Sequence, residues 1–169
     1  MDKPKAVIID LDGTLCDLEH RLHHVEKVPK NWDAFFAEAY KDAPFVWCQD
    51  LVHGLQAVGY TIIFLTGRAE HAISLEWLCR HTQIPRDVIN KCLHTRRNGD
   101  FRTDPEVKLE IYRDHIEPYY QVVFAVDDKK SIADRWRSIG ITTLLCSDWE
   151  EKKVVNTHET LEQMMKHQK

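Results

Sequence analysis

The chain has 169 residues, of which 43% are hydrophobic and 30% charged, with a formal net charge of -4. That is enough apolar chain for one globular core, and it lacks the broad positive charge of a general nucleic-acid binder, although a local basic patch would suffice for a narrower role. Five cysteines, an odd number without a Cys-x-x-Cys, indicate neither a disulfide framework nor a zinc knuckle.

Met1-Asp2-Lys3-Pro4-Lys5 leads straight into an apolar run, so no signal peptide is expected. No run approaches the roughly 18–20 apolar residues of a membrane span. Reduced thiols and a cytoplasmic location are the expectation.

Taken in chain order, Ala6-Val7-Ile8-Ile9 predicts a short buried strand over 5–11. It ends abruptly in Asp10-Leu11-Asp12-Gly13-Thr14-Leu15. Two carboxylates two residues apart at the mouth of a buried strand suit phosphoryl transfer. One can attack phosphorus while the other handles a proton. Turn-forming Asp is the plainer alternative.

Residues 16–46 form one long excursion before the next strand. They carry His20, Arg21, His23 and His24, then Trp32, Phe35, Phe36 and Tyr40. The histidines match no strong ligand template and read as surface or structural groups. The aromatic residues, at near-helical spacing over a helical stretch at 31–41, read as core.

A helix is expected near 47–58, then a strand over 60–65 ending in Thr66-Gly67-Arg68. A helix near 70–82 and a short strand near 90–94 follow. The loop at 95–103 holds Arg96, Arg97 and Arg102 around the turn signal Asn98-Gly99. Guanidinium groups suit phosphate through paired donors, although a single Arg is more often a surface ion pair, the reading preferred for Arg97. Asp104-Pro105 opens a helix near 105–115 that carries Lys108. Composition alone would leave Lys108 on a solvated helix face.

Val122-Val123-Phe124-Ala125-Val126 predicts a strand over 121–126, ending in Asp127-Asp128. Helix N-capping explains one of these two acids but not both. A helix near 129–138 with Trp136 packed on the sheet, a strand at 141–146 and a terminal helix near 157–167 complete the pattern. Strands alternating with helices imply an α/β fold. The expected architecture is a Rossmann-like three-layer sandwich with a central, mainly parallel sheet, in one domain over 1–169. Reactive side chains recur just past the carboxyl ends of the strands, where open parallel sheets place their ligand crevice.

The order DLDGTL, LTGR, a lone Lys, then VDD resembles the haloacid dehalogenase superfamily of aspartyl-phosphate phosphatases. Arg21, the stretch 96–104, Val107-Lys108, and Asp127-Asp128 followed by 136–141 are similar to the 3′-phosphatase domain of phage-type polynucleotide kinase. The resemblance implies a small cap insertion near 16–46 over the site, with Asp10 as nucleophile and Asp12 as general acid and base. It implies Thr66 and Lys108 on the phosphoryl oxygens. Mg2+ would be held by Asp10, Asp127, the main-chain carbonyl of Asp12, and Asp128 directly or through water. Arg21, Gly67, Arg68, Arg96, Arg102 and Asp104 would bind substrate or orient those that do, Asp104 by positioning Lys108.

The implied reaction is Mg2+-dependent hydrolysis of a 3′-phosphate on a nucleic-acid end or nucleotide. No Gly-x-x-x-x-Gly-Lys loop occurs. Of the kinase resemblance only the phosphatase half is represented here, and a separate kinase or ligase is a candidate partner. A nucleotidase or general acid phosphatase on free mononucleotides is the alternative, favoured by the acidic net charge. A non-catalytic binding module on the same scaffold is a third reading.

Overall fold

The computed structural model describes residues 2–147. The helix expected near 157–167 lies outside them. The sheet is built from β1 (Lys5–Ile9), β4 (Thr61–Thr66), β5 (Leu93–Thr95), β6 (Gln121–Asp127) and β7 (Thr142–Leu145). Their spatial order is β5-β4-β1-β6-β7, and every pair is parallel. The chain leaves β1 toward one side and later returns to its other side at β6. The polar segments that follow β1, β4 and β6 therefore meet at one end of the sheet.

Alternation along β1 makes the three layers. Val7 and Ile9 face one core, together with Ile62 and Phe64, beneath α3 (Val46–Ala57), α4 (His71–His81) and α5 (Arg86–Cys92). Ala6 and Ile8 face the other, with Ile63, Leu65 and Ala125, beneath α6 (Asp104–Ile111) and α7 (Lys130–Ser138). A period of two divides a continuous apolar run between both faces, as a strand covered on each side requires. Trp136 is 1% exposed and packs in the second core, edge-on to Tyr112.

The strand expected over 5–11 ends at Ile9, the helical stretch expected at 31–41 is an α-helix only over Trp32–Ala37, and the entry to β5 differs in type. The strand expected at 90–94 is a helix through Cys92, and only Leu93–Thr95 pair with β4. Ile89 and Cys92 point inward at a helical spacing of three, which a short apolar run cannot distinguish from a strand.

The segment 16–46 contains a two-stranded antiparallel ribbon, β2 (Cys16–Asp17) with β3 (Ala43–Pro44). Between them lie α1 (His23–Glu26) and α2 (Trp32–Ala37). Phe35 is buried and packs edge-on to Trp32, whereas Tyr40 is 49% exposed and is not core. No helix among the described residues is long and apolar enough to cross a membrane.

Candidate active site

Asp10 ends β1 as a backbone extension of the sheet. Its N–H donates to the Val126 carbonyl at 3.1 Å. The residue is 5% exposed. Lys108, one turn into α6, is 2% exposed and donates to Asp10 Oδ1 at 2.6 Å and to Asp127 Oδ2 at 2.7 Å. Helix α6 starts at the carboxyl end of the sheet because Thr103 and Glu106 form a capping box and Pro105 fits the first turn. That start sets where Lys108 projects.

Asp10, Asp127 and Asp128 each offer an oxygen, and the three oxygens lie within 4.8 Å of one another. Burial raises the Asp10 carboxyl to about 7, with Asp127 adding to the rise against the pull of Lys108. Burial, Asp10 and Asp127 together push Asp128 well above the ordinary carboxylate range. Asp128 Oδ1 is buried with no hydrogen-bond partner among the described residues. A buried, mutually repelling oxygen set with a free acceptor suits a hard divalent cation such as Mg2+. Gly13 is required by this packing. It has φ +78°, and a Cβ there would stand 2.3 Å from Asp128 Oδ2.

Asp12 is placed differently. Its side chain is 22% exposed, so it reaches the crevice. Arg68 Nε donates to Asp12 Oδ2 at 3.0 Å, and the Nη2 atoms of Arg68 and Arg21 both donate to Asp12 Oδ1. Burial alone would raise this carboxyl, but the two guanidinium groups hold it well below its ordinary range. Thr66 ends β4, fully buried, and its hydroxyl accepts the Arg68 N–H at 3.2 Å. Gly67 lets Asp104 approach, since a Cβ there would lie 2.8 Å from Asp104 Oδ1.

Asp42 carries no motif in the sequence. Its carboxylate accepts Arg21 Nε and Nη2 at 2.7 Å each, Arg68 Nη2 at 2.8 Å, and lies 2.9 Å from His20 Nε2. Asp42 thus holds both arginines that hold Asp12. The only sequence cue is an acid just ahead of the apolar stretch that enters α3.

The remaining predicted residues divide. Arg96 is buried at the site wall, but its donors are committed. Nε goes to the Gly67 carbonyl at 2.9 Å, Nη1 to the Asp100 and Arg102 carbonyls at 2.9 and 2.7 Å, and Nη2 to Asp104 at 2.5 Å. It fixes the 97–103 loop onto the turn at Gly67 that follows β4. Asp104 bonds Arg96 and Lys129, at 2.6 Å for the latter, and makes no hydrogen bond to Lys108. Its expected positioning of Lys108 is therefore replaced by that of Asp10 and Asp127. Arg102 is exposed and forked by Asp100 and Glu110, so its guanidinium is not turned to the carboxylate cluster.

The fold and this geometry can be compared with known proteins. The polynucleotide kinase PNKP phosphatase domain family matches residues 4–150. The chain is a haloacid dehalogenase-superfamily phosphatase domain of that family. Two structures of Pnkp1/Rnl/Hen1 complexes, one described as an RNA repair complex, contain a similar chain. They align at 29% and 30% identity, with TM-scores of 0.69 and 0.68, over 84% of this chain. This phosphatase domain spans only 42% and 45% of those chains. The class C acid phosphatase from Bacillus anthracis, with tungstate bound, shares the fold at TM-score 0.60 and 14% identity, over 99% of this chain and 80% of that one.

Proposed function

We propose that this phosphatase removes 3′-phosphates from polynucleotide ends, through an aspartyl-phosphate on Asp10. The observation that carries the mechanism is the meeting of Asp10, Asp127, Asp128 and Lys108 in one buried cluster beside Asp12. A carboxylate oxygen of Asp10 forms the bond to phosphorus as the phosphorus–O3′ bond breaks. Asp12 gives its proton to the departing 3′ oxygen. It then takes a proton from the water that hydrolyses the aspartyl-phosphate, returning Asp10 and releasing inorganic phosphate. Lys108 and the Thr66 hydroxyl bind phosphoryl oxygens, where charge accumulates.

Asp12 must carry a proton in the first step, and two guanidinium groups oppose that. Arg68 Nη1 is buried without a partner among the described residues. Phosphate oxygens entering the crevice attract Arg68 and Arg21 away from Asp12, which lets it load its proton as substrate binds. Asp10, Asp127 and Asp128 would hold a Mg2+ ion, which would screen the attacking carboxylate from the phosphate.

A polymer end is favoured over a free mononucleotide by the 97–103 loop. Arg96 clamps it to the turn at Gly67, and it presents Phe101, 61% exposed, beside Arg97 on an open groove of about 700 Å3. An exposed aromatic ring on a fixed loop is a stacking platform for a base of a single strand. Similarity to a chain found in an RNA repair complex supports end repair in company with a separate kinase or ligase. The test is phosphate release from 3′- and 5′-phosphorylated oligonucleotides, 3′- and 5′-mononucleotides and p-nitrophenyl phosphate. The 3′-phosphorylated oligonucleotide should be preferred, EDTA should stop release, and Mg2+ should restore it. Phe101→Ala should raise KM for the oligonucleotide by about 5- to 100-fold and leave p-nitrophenyl phosphate unchanged. Preference for 5′-mononucleotides would replace this reading with that of a nucleotidase.

A further inference from the structure

The cap brings a second set of metal-ligating side chains together, away from the three carboxylates. His23 and His24 open α1, and Glu38 follows α2. One donor atom from each lies within 4.8 Å of the other two. His24 Nε2 is 3.1 Å from Glu38 Oε2, across a separation of 14 residues. The two imidazole rings have centroids 3.9 Å apart.

His23 Nδ1 lies 3.0 Å from the His20 carbonyl oxygen. A carbonyl only accepts, so Nδ1 carries the proton and the lone pair sits on Nε2. A backbone carbonyl on one ring nitrogen is the support that metal-ligating histidines commonly have, because it fixes tautomer and orientation. Glu38 is oriented in turn by Lys41, whose Nζ donates to Oε1 at 2.8 Å. His24 and Glu38 are half-buried while His23 is exposed, so a water can complete the coordination.

We propose that His23, His24 and Glu38 bind a borderline-soft divalent transition ion, zinc in the first instance, at a site distinct from the Asp10–Asp127–Asp128 cluster. Imidazole nitrogen selects such ions over Mg2+, whereas the three-carboxylate cluster suits the harder ion. Helices α1 and α2 have four and six residues. Neither is long enough to be stable alone, and the ion ties one to the end of the other. Arg21 lies two residues ahead of His23, so the tie also holds the segment that presents Arg21 to Asp12.

The experiment uses the tag-free protein with Mg2+ saturating the carboxylates and Co2+ as a spectroscopic probe. One Co2+ per chain should bind with a visible absorption band of low-coordinate nitrogen ligation, and zinc should displace it. His24→Gln and Glu38→Gln, both near-isosteric and surface-reaching, should each weaken binding by at least about 10-fold, with unchanged circular dichroism. Asp127→Asn should leave this binding intact. Absence of binding at millimolar Co2+ overturns the proposal. So does binding that Asp127→Asn abolishes and His24→Gln spares, since the ion then belongs to the carboxylate cluster.

Discussion

Asp42 shows what a single side chain does for this site. It is wholly buried, its carboxylate takes the fork of Arg21 and the Nη2 of Arg68, and its carbonyl accepts the Trp77 indole N–H at 2.8 Å. The two guanidinium groups would repel each other without it, and both would be free to leave Asp12. Asn in its place keeps the shape but turns an N–H2 toward guanidinium N–H groups and removes the charge. Asp42→Asn should therefore destabilise the fold by about 3–5 kcal/mol, the usual result of stripping one member from a buried ion-pair network. It should also depress kcat for p-nitrophenyl phosphate, a substrate too small to need the outer loop. Urea unfolding and steady-state kinetics measure the two effects. An unaltered kcat would mean that Asp42 supports the fold without positioning Asp12. Asp10→Asn is the complementary change: turnover should fall by more than about three orders of magnitude while the circular dichroism spectrum is retained.

At the scale of elements, the strands that form the site were readable because each combines an apolar run with an abrupt polar end. Asp10 and Asp12 after β1, Thr66 at the end of β4, and Asp127 and Asp128 at the end of β6 are adjacent in space because parallel strands place their ends together. Lys108 was readable only through motif order, since nothing in its local sequence announces burial. Asp42 and the committed donors of Arg96 were not readable, because tertiary contacts between distant segments decide them. The α5–β5 boundary was misplaced for a related reason: β5 is an edge strand of three residues, too short to show a period. His94 on β5 carries a consequence of that edge packing. Burial, together with the nearby His115 and His71, lowers its pKa from the ordinary 6.5 to about 4. Below pH 6.5 the unfolded chain takes up this proton first, so acid favours unfolding. The contribution of neutral His94 is fully present above 6.5, is lost progressively toward 4, and changes little below that. Thermal melts of His94→Gln should show a shallower fall in Tm between pH 6.5 and 4 than the parent. Equal slopes would assign the acid sensitivity to other groups.

For the whole molecule, the two cores and the charged cluster at the sheet mouth oppose each other. The cores surround β1 on both faces, and that buries Asp10 and Asp127, with Asp128 half-buried beside them. Lys108 lies among them as a counter-charge, shared between Asp10 and Asp127, and Lys129 draws on Asp128 from beside it, while Asp128 Oδ1 has no hydrogen-bond partner among the described residues. A divalent ion that binds the folded chain and not the unfolded one stabilises the fold by mass action. At an ion concentration of about 100 times Kd the gain is about 2.7 kcal/mol. For a domain of this size that corresponds to a rise in Tm of about 5–10 °C. Scanning calorimetry in EDTA and in Mg2+ should show this rise for the parent. Asp127→Asn should lose most of it, because the substitution removes a ligand charge and relieves the repulsion that the ion would screen. A parent Tm identical in chelator and in Mg2+ would mean that the lysines beside the cluster suffice to hold it, and the cation would then have no place in the mechanism.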